Sequence, residues 1–251
     1  MLSSCQNLKP LLKRREVHWL QQSVADVALS DDWLSAAEAT QLQKLRFPRR
    51  RADWRLGRWA AKCAVAACLK RPFDARSLRD VEIRSASSGA PEVFIAAQPA
   101  DLSISLSHRD GLAICAVGPS DMALGCDLEI IEPRCDAFVT DYFTAEEQAL
   151  IELVPAVDRP QILALLWSAK ESTLKALRVG LTLDTRSLTV YLTDYGAAAV
   201  ADPNVKDWRS LQIRCNTGKV FDGWWQQEGN LIRTLVATAA SSRPIQLVTE
   251  P

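Results

Sequence analysis

Histidine, tyrosine and any excess of one charge are what this chain has least of. Its 251 residues include 2 His and 3 Tyr, and Lys plus Arg equals Asp plus Glu at 30 each. A chain with no net charge is not built for global DNA binding or for a polybasic membrane contact. Cysteine is present 7 times, an odd count with no Cys-x-x-Cys spacing. That pattern excludes a disulfide frame or a zinc site and reads as small hydrophobes in a reducing compartment. Residues 1–15 lack an apolar core followed by a small-residue cleavage site, so no signal peptide is visible. No apolar run approaches the ~20 residues of a membrane span. The expected location is the cytoplasm.

What is present is ordinary in amount and uneven in placement. Apolar residues make up 48% and charged residues 24%, as in a globular protein with a real core. Eight basic residues and one acid lie between Lys44 and Lys62, and seven acids and one base between Asp127 and Glu147. Either run alone reads as a solvated face. Together they fit a site with cations for phosphates and carboxylates for a metal.

Asp31 and Asp32 precede a helical pattern over 33–45, ended by Phe47-Pro48. A longer helix is predicted over 52–70 and stopped by Pro72. The period then shortens to that of strands at 81–84, 92–96, 102–107, 112–117 and 124–131. Helices return at 144–154, with Thr144 as N-cap, and at 159–178, stopped by Gly180. Strands at 188–193, 211–215, 220–226 and 231–239 close the chain, with a loop at Pro203-Asn204. Residues 1 to about 15 read as a loose leader. Helix-then-strands thus occurs twice, broken near Gly118-Pro119. The expected fold is α+β, two similar lobes over 1–118 and 119–251 related by a pseudo-twofold, with a cleft between them.

In Gly125-Cys126-Asp127-Leu128-Glu129 the two carboxylates stand two apart on a strand and face one side. Water, a proton or a cation must relieve their repulsion, and for an isolated pair a wet face is the plain account. In Trp167-Ser168-Ala169-Lys170-Glu171-Ser172-Thr173-Leu174-Lys175, Glu171 and Lys175 share a helix face, which an ordinary surface ion pair also explains. Three carboxylates without His (Asp127, Glu129 and Glu171) suit a hard cation, Mg²⁺ in particular. His108 follows Ser105-Leu106-Ser107 at a strand end, where a histidine is commonly a structural hydrogen-bonder. Arg49, Arg50, Arg51 and Arg58 offer guanidinium forks that match phosphate. No zinc finger, helix-turn-helix or RNA-platform motif accompanies them.

In this order the segments resemble the 4'-phosphopantetheinyl transferase superfamily, in its larger two-lobed class acting on carrier proteins of synthases. Residues 125–129 look like the family's Gly-x-Asp-x-Glu, and Trp167 to Lys175 like its Trp-x-x-Lys-Glu-(Ser/Ala)-x-x-Lys. Ser105 to His108 is similar to a Ser-x-Ser-His strand end, and Arg49 to Arg58 to a basic Gly-Arg helix entry. The likeness covers about residues 45–180.

The resemblance implies a holo-[acyl-carrier-protein] synthase activity. The 4'-phosphopantetheine of coenzyme A moves to a serine of an acyl, peptidyl or polyketide carrier, with release of 3',5'-ADP. Fatty acid, polyketide and nonribosomal peptide carriers all remain open. Asp127, Glu129 and Glu171 would hold Mg²⁺. Glu171 would be the base, with Lys170 in support, and Lys175 would neutralise leaving charge. Arg49, Arg51, Arg58, Arg84, Ser107, His108 and Asp127 would complete the coenzyme A site. Many members have Gly-Lys-Pro where this chain has Gly89-Ala90-Pro91, so another group must take that phosphate contact. Phe138 to Phe143 reads as an exposed aromatic stretch for the carrier. A monomer suffices if one chain forms the whole site. Two alternatives stand beside this reading, a non-catalytic coenzyme A-binding or synthase-docking module and a Mg²⁺-dependent phosphohydrolase.

Overall fold

The computed structural model describes residues 15–193, 207–240 and 242–249. The leader up to residue 14, Cys5 and the Pro203-Asn204 loop lie outside the described residues. The chain is α+β with several sheets, and it divides into two compact units, Met1–Met122 with Ala240–Pro251, and Ala123–Ala239. The closing segment therefore belongs to the first unit, whereas the sequence pattern placed 119–251 in one lobe.

In the first unit β1 (His18–Ser23) lies between β6 (Leu112–Pro119) and β12 (Ile245–Gln246), and β5 (Leu102–Arg109) pairs with the far side of β6. β1 runs parallel to β12 and antiparallel to β6. A second sheet joins β2 (Val81–Ser85), β3 (Pro91–Ile95) and β4 (Gln98–Pro99). Helix α1 (Ala36–Lys44) precedes the long α2 (Pro48–Cys68), and α3 (Ala75–Asp80) follows. In α2 Leu56, Ala60, Ala64 and Cys68 are buried at helical spacing, and the helix packs mainly on β6 and β1.

Two helix starts differ from the sequence reading. The N-cap of α1 is Ser35, not Asp31 or Asp32, because Ser35 and Glu38 form a reciprocal capping box. Trp33 and Leu34 are buried ahead of the helix. Pro48 opens α2 as its first residue, where its missing N–H costs nothing. β1 and α3 escaped the sequence reading. Trp19 and Leu20 are buried in succession, so β1 shows no clean alternation, and α3 is only 6 residues long.

His18 is half-buried, and its Nδ1 has no hydrogen-bond partner. Burial lowers its pKa from 6.5, against a smaller opposing pull from Glu16. The folded state thus resists the proton that the unfolded chain accepts. His18 contributes stability that is full above pH 6.5 and is lost as pH falls from there through its lowered folded value. Melting temperatures measured from pH 7.5 to 5 should fall for the parent chain in this window, and His18→Gln should flatten that fall.

The second unit is a five-stranded antiparallel sheet crossed by one long helix. Its strands are β7 (Leu124–Ile130), β8 (Leu188–Leu192), β9 (Arg209–Cys215), β10 (Val220–Glu228) and β11 (Leu231–Ala237), in the order β7-β11-β10-β9-β8. Helix α6 (Arg159–Leu177) packs mainly on β7 and β11. It ends at Arg178 in the left-handed conformation (φ 58°), two residues before the predicted Gly180 stop. Two short helices, α4 (Asp136–Tyr142) and α5 (Ala145–Leu153), stand between β7 and α6 in the chain.

The aromatic stretch expected at the surface is largely packed. Phe143 is fully buried, and Phe138 lies 5.1 Å from the Trp167 ring, leaving Tyr142 partly exposed. Cys63, Cys68, Cys115 and Cys126 are buried as small hydrophobes, and burial pushes the Cys63 thiol up to about 12. Cys135, at the start of α4, is exposed and departs from that expectation. Among the described residues no helix is long and apolar enough to cross a membrane.

Candidate active site

The site is built where α6 meets β7. Gly125, Asp127 and Glu129 occupy alternate positions of β7, so all three face the same way. That face is covered. Asp127 is 3% and Glu129 7% exposed, which removes the wet-face account of the Asp-x-Glu pair.

Gly125 explains how the helix comes so close. A Cβ at this position would stand 1.7 Å from the Ser172 carbonyl oxygen and 2.9 Å from the Ala176 nitrogen. Only a residue without Cβ fits there. Hydroxyls complete the seam. Thr234 on β11, paired opposite Asp127, has its Oγ1 2.8 Å from Ser168 Oγ and 2.7 Å from Ser172 Oγ. Ser172 Oγ also donates to the Thr234 carbonyl at 3.3 Å.

This seam brings Glu171 and Lys175 of α6 to the β7 carboxylates. Lys175 Nζ donates to Asp127 Oδ1 at 2.7 Å and to the Cys126 carbonyl at 3.0 Å. Its ion pair is therefore with Asp127 across to the strand, and the ordinary surface pair with Glu171 is not what forms. Burial is the largest single influence and works against the Lys175 ammonium, yet Asp127, Cys126 and Glu171 together hold its pKa above the usual lysine value. Glu171 has its pKa raised, first by burial and then by the charge of Asp127, with Glu129 adding to it and Lys175 opposing. Arg134 Nη2 lies 3.5 Å from Glu129 and 2.9 Å from Glu132, with its guanidinium over the Phe138 ring.

The donor set fits a hard divalent cation. It offers carboxylate oxygens only, and Glu171 carries the electrostatic cost of two neighbouring anions, the cost that a bound cation offsets. As the side chains stand, no three His, Cys, Asp or Glu among the described residues converge closely enough to hold an ion. Asp127 is turned onto Lys175 and Glu129 toward Arg134.

The remaining predicted residues belong to the first unit. Arg49 is exposed near the start of α2. Arg51 Nη1 donates to the Leu42 carbonyl at 2.8 Å and so caps the end of α1. Arg58 lies over Trp54 with its Nε 4.0 Å from Glu38, and burial lowers its pKa against the pull of Glu38. Arg84 donates to Glu82 at 2.6 Å and lies over Phe94. Ser107 and His108 sit at the end of β5, His108 exposed. A cavity of about 400 Å³ near Arg51 is lined also by Leu29, Asp31 and Arg55.

Sequence reasoning missed Thr234, Arg134 and Glu147. Glu147 had a signal, the Thr144-x-x-Glu147 capping box. Lys170, expected to assist chemistry, is fully buried and reaches Glu147 instead.

Residues 123–227 match the family described as the 4'-phosphopantetheinyl transferase superfamily. The chain is 27% identical over 157 residues to the 4'-phosphopantetheinyl transferase HetI of Nostoc sp., covering 59% of this chain and 61% of that relative. It is 40% identical over 68 residues to a holo-[acyl-carrier-protein] synthase of Chloroflexus aggregans, covering 27% of this chain and 46% of that one. The match thus spans between about half and three fifths of these relatives' lengths. A solved holo-(acyl-carrier-protein) synthase from Bacillus anthracis superposes with a TM-score of 0.35 at 19% identity, over 41% of this chain and 93% of that one. The matched segment lies within the second unit, Ala123–Ala239, and includes Asp127, Glu129, Glu171 and Lys175.

Proposed function

We propose that this chain transfers the 4'-phosphopantetheine group of coenzyme A to a serine of a carrier protein. The observation that carries the proposal is the α6–β7 seam, which brings Glu171 and Lys175 to Asp127 and Glu129 inside the segment that matches the family. Asp127, Glu129 and Glu171 would hold Mg²⁺, which when bound supplies Lewis-acid polarisation of the pyrophosphate.

The protein's own groups then divide the work. The carrier serine Oγ attacks the phosphorus that bears the pantetheine arm. The bond from that phosphorus to the bridging oxygen breaks, and 3',5'-ADP leaves with the electron pair. Glu171 takes the serine proton. Lys175, held charged by Asp127, faces the negative charge that grows on the leaving group. The arginines at 49, 51, 58 and 84, with Ser107 and His108, are assigned to the nucleotide phosphates by the resemblance alone. Arg84 is the first choice for the contact that Ala90 cannot make, since Glu82 and Phe94 hold its guanidinium in place.

The test is incubation of the chain with coenzyme A, Mg²⁺ and a panel of apo carrier domains, read by intact mass. A carrier gaining one phosphopantetheine, with the gain abolished by a chelator and reduced at least ~10²-fold by Glu171→Gln, is the expected result. Coenzyme A binding with no gain on any carrier would favour the binding module. Release of phosphate products without a carrier would favour the phosphohydrolase.

A further inference from the structure

Among the described residues, a buried ion pair of one design recurs in the two units. In the second unit Lys170 Nζ lies 2.8 Å from Glu147 Oε2 and donates to the carbonyls of Thr185 at 2.8 Å and Leu188 at 2.7 Å. Glu147 accepts from the Val190 nitrogen at 2.9 Å and the Thr144 nitrogen at 2.8 Å. In the first unit Lys62 Nζ lies 2.5 Å from Glu38 Oε2 and donates to the carbonyls of Trp33 and Leu78. Glu38 accepts from the Ile83 nitrogen at 3.0 Å and the Ser35 nitrogen at 2.9 Å. Both ammonium groups are 0% exposed, and each lies 5.6 Å from an aromatic ring centre, Phe143 or Trp33.

All three N–H bonds of each lysine are used, so each pair fixes how its helix is rotated and how far it is pushed along its axis. The residue after the lysine differs. It is Glu171 in the second unit and Cys63 in the first. With ~100° per residue, Glu171 and Lys175 lie on the arc of α6 between Lys170 on one side and Ser168 with Ser172 on the other. One edge of that arc is pinned to Glu147, and the other to Thr234.

We infer that Glu147 and Lys170 are positioning residues for the Glu171 carboxylate, and that Glu38 and Lys62 are the same device on a helix that carries no site carboxylate. The assignment of a cation to Glu171 rests on the proposed function. The placement of Glu171 by the pair does not rest on transfer itself. Loss of one anchor frees α6 to turn about the Thr234 seam, which moves Glu171 relative to Asp127 while the sheet stays intact.

The first unit supplies the control. In the full chain, Glu147→Gln with Lys170→Met and, separately, Glu38→Gln with Lys62→Met each replace a buried pair by neutral groups of similar volume. Such a replacement is far milder than stranding one charge. Three quantities are measured for each: the thermal midpoint, Mn²⁺ binding by electron paramagnetic resonance with coenzyme A present, and kcat and KM for carrier modification. The 147/170 variant is expected to bind Mn²⁺ at least ~10-fold more weakly and to lose kcat by a similar factor, with KM for coenzyme A unchanged. The 38/62 variant is expected to keep parental Mn²⁺ binding and kcat at saturating coenzyme A, with any loss confined to KM for coenzyme A, because Glu38 lies 4.0 Å from Arg58 of the same helix as Lys62. Should the 147/170 variant fold poorly, Glu147→Asp keeps both charges but shortens the reach of the carboxylate to Lys170, and it is read in the same way. Parental Mn²⁺ binding in the 147/170 variant, or equal losses in both variants, would overturn the assignment. If the parent chain modifies no carrier, the proposed reaction fails, and the Mn²⁺ titration still decides the role of the pair.

Discussion

Gly125→Ala is expected to abolish the folded second unit. The added methyl would meet the Ser172 carbonyl oxygen at 1.7 Å, its carbon at 2.7 Å and the Ala176 nitrogen at 2.9 Å. These are backbone atoms of a long helix, so no rotamer change relieves the overlap. Relief requires α6 to move off β7, which breaks the Thr234 hydroxyl bonds to Ser168 and Ser172 and uncovers apolar residues such as Leu166 and Ala169. Overpacking costs about 1–3 kcal/mol where side chains can give way, and a rigid backbone contact should exceed that range. Urea titration followed by tryptophan fluorescence checks it, since Trp224 and Trp225 report on the sheet of this unit. A variant with a parental midpoint would show that α6 lies farther from β7 than described. The glycine of the Gly-x-Asp-x-Glu motif is thereby explained by packing.

Asp127→Asn is expected to lower carrier modification by ~10²–10³-fold, the scale seen when one preorganised electrostatic group is lost. The change removes two interactions at once. One is a carboxylate from the proposed cation site, and the other is the partner that keeps Lys175 charged and aimed. Folding should survive, because Asn keeps the shape of the side chain and Lys175 is partly exposed. The separation is made by kinetics with Mg²⁺ varied. A loss repaired by excess Mg²⁺ assigns the effect to cation affinity, and a loss that persists at saturation assigns it to Lys175. Unchanged modification would remove Asp127 from the site.

The sequence reading and the structure agree where one period or one motif decides. Helix α6 is long and apolar at helical spacing, and it was placed within a residue at each end. The α+β class followed from the switch between helical and strand periods. The reading failed where a second segment decides. β1 exists as a strand because β6 and β12 flank it, and nothing in His-Trp-Leu-Gln-Gln-Ser announces those partners. Phe138 packs on Trp167, which lies 29 residues further on.

The recurring device was also invisible as a repeat. It consists of a capping box and a Trp-x-x-Lys turn, with Glu38 and Lys62 24 residues apart and Glu147 and Lys170 23 apart. A few shared side chains in each half do not register as sequence similarity. At the site, the motifs named Asp127, Glu129 and Glu171, while Thr234 came only from tertiary contacts and the capping box marked Glu147 as a helix start without naming its partner Lys170.

The return of residues 240–251 to the first unit has a consequence for the order of synthesis. The second unit begins and ends at one clasp, where the Ala123 nitrogen donates to Thr238 Oγ1 at 3.1 Å and the Thr238 nitrogen to the Ala123 carbonyl at 3.0 Å. Beyond it, the Ile245 nitrogen donates to the Val17 carbonyl and the Leu247 nitrogen to the Trp19 carbonyl, both at 2.8 Å. The unit whose residues are translated first is thus sealed last. While the ribosome makes 123–239, β1 waits with one edge unpaired, an edge open to wrong partners. The inserted unit, closed on itself by its clasp, is free to fold in that interval.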